Sequence, residues 1–516
     1  MALDYRARPS QPRPALPSPG RKHWTRRYIG LGTGTILASV LALGAPLARP
    51  ASAGGGPENV VLIIDPAQPD SLEAARFYQG ARGIPDRNMI FMPPGAADYR
   101  ALTEVQLPAF QGELEARGID DHVDYVVLPP GSPYFVSATG LVDPAPCPAA
   151  FRRIALASAY TLAPEADEIL SGGLSVREPN RFYSFRDEPV AFDARTDWYG
   201  GAASTSPDSR RYYLGWALGY GGAKGNTLLE TKAMITRSVA VDGTRPPGTF
   251  YFMKTTDRAR SGPREFLFLA ARDALVDLGA KAEIMEAVLP VGRHNALGIM
   301  TGVANPKIET ADVTLLPGSF ADHLTSFAAN FGAGQMKVSS WVRSGASGSL
   351  GTVQEPCNSA GKFPNPRVFV WYYQGVSLGE AVFRSLALAP FHGMPYGDPL
   401  TQPFVVRPSL TVQAPEKAAR GVIRIPFQTA MPGGQVEFVE LLVDGVSRAS
   451  ARPGNPLVLD TRRVADGDHA LLAVAREASP VKAQVQWAGE LVVANGNRGV
   501  RASAAPSMTT RPFSRI

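Results

Sequence analysis

From Glu58 onward the chain alternates short β-branched apolar runs with amphipathic stretches, and that alternation limits it to a few folds. Residues 59–64 (NVVLII) run without a polar break to Asp65-Pro66, the pattern of a strand buried on both faces. Asp70-Ser71-Leu72-Glu73 has the form of a capping box opening a helix to about Arg82, where Gly83-Ile84-Pro85 stops it. A short strand at 88–92 follows, then a helix at 103–117 closed by Gly118. A third strand at 123–128 (VDYVVL) breaks at Pro129-Pro130-Gly131. Strands spaced by helices of this length predict right-handed βαβ units and a mostly parallel, doubly wound sheet.

Residues 143–208 interrupt the pattern and predict an insertion or long loop region. Its aromatics (Phe182, Tyr183, Phe185, Trp198, Tyr199) and arginines (Arg177, Arg181, Arg186, Arg195) have two readings. They cradle a polymer or peptide, or the loop packs its own rings on the sheet. Periodicity resumes at 212–218, followed by strands at 249–254, 296–301 and 349–353, an apolar segment at 313–316, and helices at 227–239, 263–278, 336–342 and 377–388. The α/β layer, residues 54–404, closes near Tyr396-Gly397-Asp398-Pro399. After Pro403 the texture becomes all-β. Short runs separated by Pro432-Gly433-Gly434, Asp444-Gly445 and Asp466-Gly467 predict a small β-sandwich over 405–495, and residues 496–516 a disordered tail.

The first 53 residues predict export. Thr25-Arg26-Arg27 precedes a mildly apolar run at 30–45, which ends before Ala51-Ser52-Ala53, an A-x-A cleavage site. The paired arginines and the Gly/Thr-diluted apolar run fit the twin-arginine type, which carries folded cargo. The run is shorter than the ~20 residues a membrane span needs. The expected location is therefore periplasmic or secreted, with no integral membrane segment after cleavage. The chain holds 52 Lys+Arg and 46 Asp+Glu. Removing the leader's eight basic residues and Asp4 leaves 44 against 45, so the basic balance belongs to the leader. Nucleic-acid binding, which needs a basic patch on the folded domain, is not expected. There is no C-x-x-C or H-x-x-x-H spacing, and the two cysteines, Cys147 and Cys357, exclude a disulfide scaffold at this length.

Three blocks resemble an uncharacterised family of exported bacterial proteins. They are Ala67-Gln68-Pro69-Asp70-Ser71-Leu72; Pro317-Gly318-Ser319-Phe320-Ala321-Asp322-His323-Leu324-Thr325-Ser326; and Gly361-Lys362-Phe363-Pro364 with Tyr396-Gly397-Asp398-Pro399-Leu400. The order of elements is also distantly similar to gingipain-type cysteine peptidases. Their caspase-like α/β domain ends near a Gly-Asp-Pro and is followed by an immunoglobulin-like domain. Trp341-Val342-Arg343-Ser344-Gly345-Ala346 looks like the unit that follows their nucleophile, and residues 439–445 with Asp466-Gly467-Asp468-His469 resemble immunoglobulin-like modules. That resemblance implies a His–Cys dyad on adjacent strand ends, with imidazole beside thiol so that thiolate forms near neutral pH. The aligned segments read Thr301-Gly302-Val303-Ala304-Asn305 and Leu315-Leu316-Pro317-Gly318-Ser319, without His or Cys.

In a parallel α/β sheet the ligand crevice lies outside the carboxyl ends of the strands. Cys357 follows the strand at 349–353, and His323 follows an apolar run. A relocated Cys357–His323 pair with Glu355 beside it is the sharpest catalytic candidate. A bridge to Cys147 and a half-buried thiol are the alternatives. Asp65, Asp322 and Asp398 are expected to border the same crevice as substrate contacts, although Asp65 before Pro66 also reads as a turn residue. Asp322-His323 with Asp398 or Glu355 has metal-ligating chemistry, but no spacing demands a metal, and no metal or cofactor is assigned. Ser132 lacks the G-x-S-x-G elbow of a serine nucleophile. Two functions remain open: an exported hydrolase with a non-standard or lost dyad, and a non-catalytic envelope protein that binds a peptide or glycan polymer.

Overall fold

The computed structural model describes residues 54–139, 141, 152–355 and 359–496. The leader, Cys147, Cys357 and the tail lie outside the described residues. Ten strands build one sheet: β1 (Val60–Ile64), β2 (Met89–Phe91), β3 (Tyr125–Leu128), β4 (Leu214–Ala217), β5 (Thr249–Met253), β6 (Lys281–Met285), β7 (Arg293–Thr301), β8 (Val313–His323), β9 (Gly348–Thr352) and β10 (Gly393–Gly397). Their order is β6-β5-β7-β8-β9-β10-β4-β3-β1-β2. The pairs from β2 through β4 are parallel, as are those from β6 through β9. β10 runs antiparallel to β9 and meets β4 at one bridge, Tyr396 to Ala217. Pro395 sits mid-strand with no N–H to donate, which limits the pairing this strand can make.

Helices cover both faces: α1 (Pro69–Arg82), α2 (Leu107–Arg117), α3 (Leu156–Thr161), α4 (Leu228–Val241), α5 (Arg258–Asp277), α6 (Val338–Arg343), α7 (Val368–Tyr373) and α8 (Leu378–Ser385). Alternation along the strands sorts the core. Phe250, Phe252 and Phe320 pack with Phe268 and Phe369 on one face. Tyr251, Met253, Ile299 and Ala321 pack with Trp341 on the other.

Several boundaries depart from the sequence reading. α1 begins at Pro69, with Gln68 as N-cap and no capping box around Asp70. Proline suits the first helical position because its missing N–H has no partner there anyway. α5 starts before Pro263, where Asp257 accepts from Arg260 N. β8 continues through Pro317-Gly318 instead of ending at Leu316. The register against β7 jumps from Ala296–Leu315 to Gly298–Phe320, and Gly318 takes a φ of +82°. A bulge, not a turn, absorbs those residues. β6 and α7 were not expected. The insertion holds α3 and a second short helix, Ala166–Leu170, and buries Phe182, Phe192 and Trp198 together. The self-packing reading of that segment is the one observed, leaving Phe185 and Tyr199 exposed.

The C-terminal region is all-β: β11 (Ser409–Val412), β12 (Val422–Ile425), β13 (Phe427–Ala430), β14 (Val436–Val443), β15 (Val446–Ala451), β16 (Leu457–Asp460), β17 (Gly467–Glu477) and β18 (Gln484–Val493). A four-stranded antiparallel sheet, β15-β14-β17-β18, shares a core with the ribbons β11-β13 and β12-β16. It docks on the α/β layer through Gln486 to Glu58 (2.7 Å) and Ala191 N to Pro480 O (2.8 Å). The described residues belong to one compact unit.

Candidate functional site

The loops leaving the strand ends of both halves gather on one edge. Tyr134, after β3, and Tyr220, after β4, meet Phe331, after β8, at ring separations of 5.3 and 4.2 Å. Lys224 Nζ donates to Ala333 O (2.8 Å), and Arg152 N to Gln354 Oε1, after β9 (3.2 Å). Asp65 after β1, His323 at the end of β8 and Glu355 after β9 stand on the carboxyl edge of the sheet.

Asp398 does not. It follows the antiparallel strand β10, which carries it to the opposite edge, where its N–H donates to Ser347 O just before β9 (2.9 Å). There Asp398 Oδ1 accepts from the Tyr78 hydroxyl (2.7 Å) and Leu400 N (3.0 Å), and Oδ2 from Arg82 Nε (3.0 Å). Arg82 also binds Asp242 (2.6 Å), which Arg407 approaches at 3.3 Å. Burial opposes the Arg82 charge, but Asp398 and Asp242 outweigh it and raise its pKa. The Gly-Asp-Pro aspartate thus ties the end of the α/β layer to α1 and to the residue capping α4.

The adjacent ends of β7 and β8 are Thr301 and His323, paired in register. Residues 315–319 therefore lie inside β8 and not at its end. Asp322 and His323 point to opposite faces, as neighbours on a strand must. Asp322 pairs with Arg264 of α5, whose Nη2 also donates to Thr301 O (2.7 Å). Burial raises the Asp322 pKa, and Arg264 opposes it. His323 is fully buried on the other face. Trp341 Nε1 donates to its Nδ1 (2.9 Å), and its Nε2 bonds the Met336 carbonyl (3.2 Å). A carbonyl only accepts and an indole N–H only donates, so the proton sits on Nε2. Burial lowers the pKa to about 3; the Met336 carbonyl opposes this, while Arg264 and Lys337 add to it. Neither ring nitrogen has a lone pair open to a thiol or water. Asp322 and His323 cannot share a ligand, and among the described residues no cluster of three His, Cys, Asp or Glu could hold a metal.

Asp65 is half-buried; its Oδ1 accepts from Ala67 N (2.9 Å) and its N–H donates to Ser71 Oγ (3.2 Å), the bonds of a turn residue. Glu355 is half-buried beside the segment carrying Cys357, so the Cys357–His323 pair lies partly outside the described residues. Two buried bases escaped the sequence reading. His392, just before β10, has its Nδ1 2.9 Å from Lys362 Nζ, and burial together with that ammonium pushes its pKa well down. Lys337, beside His323, is lowered by burial to about 8 and donates to Phe327 O (2.8 Å). Lys362 stands in one of the resemblance blocks; nothing in the pattern around His392 marked it.

No family model and no curated protein matches this chain. Among solved structures, one described as that of a protease is similar over 85% of this chain and 98% of its own, at 9% identity and a TM-score of 0.41. Fibronectin(III)-like modules of Clostridium thermocellum CbhA are similar over 22% of this chain and 58% of theirs, at 19% identity and a TM-score of 0.16. Neither likeness is close enough to assign an activity. Among the described residues no helix is long and apolar enough to cross a membrane.

Proposed function

We propose that this chain is an exported binding protein: a caspase-like α/β domain of peptidase type whose dyad positions have become structural, followed by an immunoglobulin-like domain. One observation carries the reading. The imidazole at the end of β8 is held on both nitrogens by Trp341 and Met336 inside the core. A general base must offer a lone pair to the proton it takes, and this ring has none to offer. The contact surface is the aromatic shelf on the carboxyl edge, where Tyr134 and Tyr220 stand half-exposed against Phe331. Aromatic faces with polar tips suit peptide side chains and sugar rings. Asp65 and Glu355 border that edge and supply negative charge.

The test has two arms. The purified chain and its Cys357→Ala variant are incubated with a broad peptide library and read by mass spectrometry; neither is expected to cut. Soluble peptide and glycan fragments from the cell envelope are then titrated calorimetrically. Tyr220→Ala is expected to weaken binding about tenfold, in line with loss of one well-packed aromatic contact. Cleavage that disappears in Cys357→Ala overturns the proposal, as does binding unaffected by Tyr220→Ala.

A further inference from the structure

The glycines that follow Ala53 are enclosed on four sides. Gly54 is buried at a φ of +101°, and a Cβ there would stand 2.5 Å from the Lys482 carbonyl. At Gly55 a Cβ would run into the Tyr125 hydroxyl, and at Gly56 into the Glu58 carboxylate. Gly54 N donates to Phe192 O (3.2 Å), and Gly54 O accepts from Gly56 N (2.9 Å) and the Gln484 amide. The strap therefore touches the insertion, β3, the start of α8 and the C-terminal β region at once.

Its surroundings are acidic. Phe192, which accepts from Gly54 N, donates its own N–H to Glu380 Oε1 (2.9 Å), and the Gly55 amide reaches the same carboxylate. Ser377 N completes the set at Oε2 (2.9 Å). Glu380 is buried and bonded only to neutral N–H and O–H groups. Glu58 Oε1 and Asp124 Oδ2, also buried, accept no hydrogen bond. The cations facing this group are Arg476, 4.0 Å from Glu58, Arg195, bound to Asp193, and Lys482, whose Nζ turns to Glu437. Three buried carboxylates outnumber the cations that approach them closely.

We propose that the Ala53–Gly54 bond is cut and that the ammonium formed on Gly54 is seated against Glu380, fastening the β region to the α/β layer. Water adds across the amide under an endopeptidase acting in trans. The C–N bond breaks, the oxygen stays on Ala53 as carboxylate, and the nitrogen takes the protons and remains on Gly54. One N–H donor becomes three on a positive charge. The cut rests on the export proposed above, whereas the seat does not depend on what the carboxyl edge binds.

An α-amino group ordinarily titrates near 7.7–8.0; burial lowers that value and a carboxylate partner raises it, and a seat that holds the charge leaves the balance above the ordinary value. The stabilisation is then complete below the ordinary value and is lost as pH rises through the raised one. The chain released from a fusion with Gly54 first is compared with the same chain acetylated at Gly54. At pH 7 the free amine is expected to melt about 2–4 °C higher. The gap closes at alkaline pH, and Glu380→Gln removes it, read as the difference between the free and acetylated chains that both carry the substitution. Mass spectrometry of the exported protein is expected to find Gly54 first. Equal melting at pH 7, a gap that persists at alkaline pH, or a different first residue overturns the proposal.

Discussion

His323 is taken out of reach of acid–base chemistry by two neighbours. Trp341 and Met336 fix one tautomer, and burial lowers the pKa to about 3. The unfolded chain binds a proton near 6.5, the folded chain only near 3, so this residue makes stability fall as pH drops between those values. The slope is about 1.4 kcal/mol per pH unit for one such group. His323→Gln keeps an acceptor for Trp341 and a donor for Met336 but has no titration. It is expected to cost about 1 kcal/mol at pH 7. Below about pH 6.5 its stability, measured by urea unfolding, declines less steeply than that of the parent. Parallel pH profiles contradict the assignment. Asp398 makes the matching point for carboxylates: a residue in a conspicuous motif is engaged by Tyr78 and Arg82, on the edge opposite His323.

Among the elements, β10 decides where that motif ends up. An antiparallel strand at the end of a parallel run delivers the residues after it to the wrong edge for catalysis. Asp398→Asn leaves Arg82 with Asp242 alone in a buried setting and is expected to cost about 3–5 kcal/mol, read as a fall in urea midpoint, with ligand binding unchanged. Strands such as β1 were legible because burial on both faces demands an unbroken apolar run. β6 was not, since an edge strand reading Lys281-Ala282-Glu283-Ile284-Met285 carries charge on its exposed side. The second half of β8 was hidden by Pro317-Gly318, which interrupt the apolar run and are taken up by a bulge. α7 (VFVWYY) is nearly all apolar because it is buried all round, so it has no amphipathic signature. The site was half legible for the same reason. Asp65, His323 and Glu355 follow parallel strands and share an edge, whereas the direction of β10 and the partners of each imidazole depend on long-range packing.

Across the whole molecule, the C-terminal β region has its own core yet is joined to the α/β layer by Glu58, Gly54 and Arg87, whose Nε reaches Asp444 O (2.5 Å). Scanning calorimetry of residues 54–496 is expected to give one cooperative transition; two well-separated peaks mean that the docking contributes little. Among the described residues, His323 on the carboxyl edge is closed off by Trp341 and Met336, while Tyr134 and Tyr220 on the same edge stand half-exposed. The measurement closest to that claim is a pH titration of the His323 ring nitrogens by ¹⁵N NMR. A neutral ring protonated on Nε2 is expected, with no titration above about pH 4 in the folded protein. A midpoint between about 6 and 7, or a proton on Nδ1, would show an imidazole free to act as a base and would contradict it.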